Sequence, residues 1–95
     1  MRRRLFLRPE AERDLASARD WYDQQRGGLG DEFLDAIALT LRELEQDPEL
    51  HRLYYRNFRR ALLRRFPYKI FYQVLGERVV IFRVLHAKQE HGRNL

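Results

Sequence analysis

Ninety-five residues without a single cysteine leave no disulfide framework and no thiolate chemistry. No apolar run approaches the roughly 18 residues of a membrane span, nor does the basic start MRRRLFLRPE lead into a signal-peptide core. The expectation is therefore one soluble domain over residues 1–95, suited to the reducing cytoplasm and with no membrane contact.

The net charge of +5 is unevenly spread. Residues 1–9 hold four arginines and no acid; residues 10–49 hold twelve acids against four arginines; residues 50–95 hold eleven Lys/Arg against two acids. This segregation predicts a basic face built by the C-terminal half and able to meet an anionic partner. Seventeen of the nineteen cations are arginine, the side chain that grips phosphate or carboxylate with two parallel hydrogen bonds.

In chain order, Arg3 to Leu7 (RRLFL) reads as an opening strand stopped by Pro9. Pro9 suits the first turn of a helix, and Glu10 and Glu12 lie where the helix dipole favours acids. Ala11, Leu15, Ala18 and Tyr22 recur at helical spacing with Trp21 at the border of the stripe. The glycines of Gln25 to Gly30 end this helix. A second helix is expected from Asp31, which can cap it. Its stripe is Phe33, Leu34, Ile37, Leu41 and Leu44, and it stops at Asp47-Pro48.

Pro48 to Asn57 reads as a loop, with Leu50, Leu53, Tyr54 and Tyr55 expected to pack down onto the core. Strands follow at Arg60 to Phe66 and Tyr68 to Leu75, joined at Pro67, which cannot donate to a ladder. Leu75-Gly76-Glu77-Arg78 is a hairpin turn into Val79 to Leu85 (VVIFRVL). That last run is apolar on both faces apart from Arg83, so it belongs inside a sheet. His86 to Leu95 reads as a loose tail. The order β-α-α-β-β-β predicts an α+β fold: an antiparallel β-sheet with an N-terminal helix hairpin packed on one face.

That order, together with Arg65-Phe66-Pro67-Tyr68 and the closing Val84-Leu85-His86-Ala87-Lys88, resembles the RelE/ParE toxin superfamily of bacterial type II toxin–antitoxin modules, on the ParE-like side. The resemblance covers nearly the whole chain. It implies a toxin held inactive in a hetero-oligomer with a cognate antitoxin, whose C-terminal segment wraps its surface. It also implies one of two activities: poisoning of DNA gyrase without nuclease chemistry (ParE-like), or cleavage of messenger RNA on the ribosome (RelE-like).

Cutting RNA requires a base, an acid and stabilisation of a crowded phosphorane. For that chemistry the sheet offers Arg64, Lys69, Arg83, His86 and Lys88. RelE-like enzymes add a tyrosine near the C-terminus, whereas His86 to Leu95 contains none. Lys69 and Gln89 stand where those enzymes carry arginine, and the reading therefore favours a binder. A plain nucleic-acid-binding module ranks last, since no helix-turn-helix, zinc site or aromatic RNA-binding pair is visible.

The residues expected to touch antitoxin or target are Arg59, Arg60, Arg64, Arg65, Tyr68, Arg83, His86, Lys88 and Arg93. No cofactor is expected. His86, Glu90 and His91 fit no standard metal spacing. Arg83 is the most informative position. An arginine inside an apolar strand must reach solvent or find a partner.

Overall fold

The computed structural model describes residues 3–89 and Leu95. The order is β1 (Arg4–Leu7), α1 (Pro9–Gln25), α2 (Leu29–Gln46), a 3-10 turn (Pro48–Leu50), β2 (Leu53–Tyr55), β3 (Phe58–Leu62), β4 (Tyr68–Leu75) and β5 (Arg78–His86). Among the described residues no helix is long and apolar enough to cross a membrane.

Pro9 opens α1, Glu10 and Glu12 occupy its first turn, and Ala11, Ala18 and Tyr22 are buried. The helix pair is closed tightly by glycine. Gly28 turns the chain at φ 88°, a left-handed conformation that costs glycine little. At Gly30 a Cβ would lie 2.6 Å from both the Arg19 carbonyl and Asp23 Oδ1, so only glycine allows the two helices to approach here. The Gly30 N–H then donates to Asp23 Oδ1 at 2.7 Å. As a result α2 begins at Leu29, ahead of the expected Asp31. Asp31 lies in the first turn without capping it and pairs with Arg19 at 3.3 Å instead.

The sheet order is β1-β5-β4-β3-β2, with the helix hairpin against one face as expected. Four consecutive strands pair antiparallel. The opening strand differs: β1 lies parallel to β5, from Arg4↔Arg78 to Leu7↔Ile81. It therefore flanks β5, which has neighbours on both sides. The long return through helices and hairpins is what makes a parallel pairing possible.

Two further differences concern residues 48–66. The stretch Pro48 to Asn57 holds the 3-10 turn and a three-residue edge strand, β2. Leu50, Leu53, Tyr54 and Tyr55 are exposed and stand outside the core between helices and sheet, although the Tyr54 ring reaches the buried Phe71 on the other face. β3 ends at Leu62, four residues before the expected Phe66. Leu63 to Pro67 turn the chain back, with Arg65 at φ 75°.

The main core lies between helices and sheet, where Phe33, Leu44, Ile70, Tyr72, Val79 and Ile81 are sealed from solvent. Phe58, Phe71 and Leu85 are also buried but stand outside that cluster. Phe71 alternates with Ile70 and Tyr72, and so it faces the other side of the sheet. There its ring packs 5.6 Å from Tyr54, and Phe58 packs 5.0 Å from Phe82.

Candidate functional site

Arg83 owes its position to a β-bulge. Phe71 pairs with Arg83 while the next residue, Tyr72, pairs with Ile81, leaving Phe82 as the extra residue in β5. A bulge shifts the side-chain alternation by one. Ile81 and Val84 therefore both face the main core, and Arg83 leaves the core-facing row. Its Nε and Nη2 donate to Asp14 Oδ2 and Oδ1 at 2.7 and 2.9 Å, and the Val84 N–H donates to Asp14 Oδ2 at 2.9 Å. The hydrogen bonds to Asp14 hold the guanidinium in its charged form more firmly than usual, against the opposing effect of burial.

At the end of the same strand, Tyr68 and His86 face each other across β4 and β5 with rings 5.3 Å apart. Tyr68 also packs on Tyr22 and Phe33, and burial raises its phenol above the ordinary value. The His86 Nδ1 accepts the Lys88 N–H at 3.1 Å, and the His86 N–H donates to Gln89 Oε1 at 2.7 Å. These bonds fix a turn that leaves Lys88 exposed. Between this turn and α1 lies an open cavity of about 350 Å³, lined by Asp14, Ser17, Trp21, Tyr68, Val84 and Gln89, among others.

The remaining basic residues are spread over different tasks. Arg59 Nη1 donates to the carbonyls of His51 (2.7 Å) and Glu49 (3.4 Å). The Tyr72 hydroxyl donates to the Pro48 carbonyl, so two side chains pin the 3-10 turn to the sheet. Burial pushes the Tyr72 phenol up to about 12. Arg65 meets Glu32 at 2.6 Å and Arg64 meets Glu43 at 3.6 Å, which ties the β3–β4 connection to α2. Hydrogen bonds from Arg65 and Arg26 hold the Glu32 carboxyl below its ordinary value. Arg60 lies over the Tyr54 ring at 4.1 Å.

Arg64, Lys69, Arg83, His86 and Lys88 therefore do not gather in one place. His86 packs with Tyr68 on the helix side. Lys69, the next residue along β4, sits between Leu62 and Leu85 on the opposite face. Arg64 turns toward α2 and Arg83 toward α1. Glu90, His91 and Arg93 lie outside the described residues.

Two features have little signature in the sequence. One is Asp14, an acid on a helix whose sequence marks nothing but a polar position. The other is the exposed β2 edge. Leu53-Tyr54-Tyr55 between Arg52 and Arg56 carries a strand signal in its paired aromatics, though nothing local tells that it faces outward.

The sequence profile of the family described as "ParE toxin of type II toxin-antitoxin system, parDE" matches residues 5–91. A search of curated proteins found no match. Among solved structures, the chain is similar to one from the chromosomal ParDE system of P. aeruginosa, with TM-score 0.81, 22% identity, and 88% of this chain and 95% of that one covered. It is also similar to one from the E. coli RelBE complex, with TM-score 0.70, 20% identity, and 92% and 99% covered. A third, from the RelBE2 complex of Mycobacterium tuberculosis, gives TM-score 0.66 and 22% identity over 90% and 99%.

Proposed function

Because the chain belongs to the ParE toxin family of type II toxin–antitoxin systems, we propose that it arrests growth by binding and poisoning DNA gyrase, and that a cognate antitoxin holds it inactive in the cytoplasm. The observation that carries the choice of binding over cleavage is the dispersal of the basic candidates. General acid–base cleavage needs its groups within about 3 Å of one reacting phosphate. Here Lys69 and His86 project from opposite faces of β4 and β5, and Arg83 is held by Asp14. A toxin that acts by contact has no such requirement. Its energy is spread over a surface, and Arg60, Arg64, Arg65 and Lys88 are the side chains set to supply it. Arg59 serves the same surface indirectly, by holding the 3-10 turn.

Ribosome-dependent RNA cleavage is the second reading, and the Tyr68–His86–Lys88 corner is what favours it. The two separate in a purified assay. A gyrase poison makes gyrase, ATP and supercoiled plasmid accumulate cleaved DNA, and it leaves messenger RNA on ribosomes intact. Cleavage of ribosome-bound RNA that is lost in His86→Ala, with gyrase untouched, would overturn the proposal.

A further inference from the structure

Residues 52–57, which carry β2 and the turn into β3, are exposed without a break. Their polar side chains are Arg52, Tyr54, Tyr55, Arg56 and Asn57, and Arg60 joins them from β3. Not one is an acid. From Leu50 to Gly76 the chain holds seven Lys/Arg and no Asp or Glu, and Glu49 just before this stretch is taken by Arg3 at 2.7 Å. None of Arg52, Arg56 and Arg60 makes an ion pair among the described residues, whereas Arg64 and Arg65 do.

Two of the three are held in place by rings. Arg60 lies over Tyr54 at 4.1 Å and Arg56 over Tyr55 at 5.1 Å. Stacking orders a guanidinium without neutralising it and without using its N–H donors. Arg52 and Arg60 also line a cleft of about 190 Å³ with Leu53 and Tyr54, several times the roughly 30 Å³ that a water molecule occupies in the liquid. A phosphate group fits there.

This hairpin is a surface of donors. Arginine donates and never accepts, and tyrosine hydroxyls and the asparagine amide can donate as well. The backbone of a nucleic acid is the complement, because its phosphates are negative throughout and only accept. The remaining charge sets the orientation. Residues 10–49, which form the two helices and the turn after them, hold twelve acids against four arginines and would be turned away from a polyanion.

We propose that the β2–β3 hairpin grips the phosphate backbone of duplex DNA through Arg52, Arg56 and Arg60. This contact builds on the gyrase reading above, since a poison that traps cleaved DNA works against the duplex that the enzyme holds. A second copy of this chain is a poor occupant, because it would set arginines against arginines.

The test titrates the full chain onto a short labelled DNA duplex by fluorescence anisotropy at several salt concentrations. Each phosphate contact contributes about −0.9 to the slope of log K against log salt. Arg52→Gln, which disturbs no stacking, should make the slope shallower by about 1, and Arg52→Gln/Arg56→Gln/Arg60→Gln by about 2–3. Arg13→Gln/Arg42→Gln/Arg78→Gln removes as much charge elsewhere and should leave the slope nearly unchanged. In parallel, the hairpin triple variant should need about tenfold more protein than the unmodified chain to accumulate cleaved DNA with gyrase. Equal slope losses in the two triple variants, or none in the hairpin variants, overturn the proposal; cleaved DNA from the unmodified chain then leaves the gyrase reading standing. A slope that depends on the hairpin, with no cleaved DNA from the unmodified chain, overturns the gyrase reading and upholds the duplex contact. Tighter binding to an RNA hairpin of the same length would assign the arginines to RNA and also overturn the proposal.

Discussion

Where β1 ends at Leu7, the remainder of β5 becomes an edge of the sheet, and the chain closes it with its own side chain. Asp14 takes the Val84 N–H together with two donors of Arg83. At the far side β2 has no such cover: its residues are exposed, its flanking arginines have no carboxylate partner among the described residues, and its backbone edge is open. Both edges belong to a basic half of the chain, so charge alone does not separate them. The difference is that one edge has an acid supplied from within, sixty-nine residues away in sequence, while the other lacks one. An edge that is sealed internally serves stability. The other stays apolar and cationic at the surface, with Arg56 and Arg60 lying over tyrosine rings rather than against acids.

The largest expected effect breaks the sealed edge. Asp14→Ala leaves the Arg83 charge half-buried without its carboxylate and strips the Val84 N–H of its acceptor, at a cost of about 2–4 kcal/mol. Denaturant midpoints would show it, and a loss below about 1 kcal/mol would mean that Asp14 does not seal this edge. Next comes Tyr72→Phe, which removes the hydroxyl donated to Pro48 and should cost about 1 kcal/mol. The same residue shapes the alkaline limit. Its folded value of about 12 lies above the ordinary tyrosine value, so the stability it contributes is present below pH ~10. That stability is lost as pH rises from there through about 12. In Tyr72→Phe this alkaline slope should flatten.

The open edge should behave in the opposite way. Leu53→Ser removes exposed apolar surface, so folding stability should change by only about 0.5 kcal/mol. A loss above about 2 kcal/mol in denaturant midpoints would mean that this edge holds the fold as the sealed one does.

Both helices were legible because their apolar stripes and their proline and glycine punctuation are local signals. The two core strands were legible from their apolar runs. The parallel partnership of β1 with β5 was not, since pairing is decided by the path of the whole chain rather than by RLFL itself. Arg83 announced its need for a partner, but the answer depends on a bulge at Phe82 and on an acid in a distant helix. Most instructive are Leu50, Leu53, Tyr54 and Tyr55. Apolar residues that a core buries and those that stay at the surface look alike in sequence, and nothing local to these four tells which they are. The dispersal of the candidate nuclease residues was hidden for a related reason: adjacent positions on β4 face opposite sides, and spacing alone does not say which face is covered.

The measurement that bears most directly on the function is pulse-labelling in cells induced for this chain alone, with DNA and protein synthesis followed separately. A gyrase-directed binder stops DNA synthesis first, with protein synthesis declining later. Collapse of protein synthesis within minutes while DNA synthesis continues would contradict it.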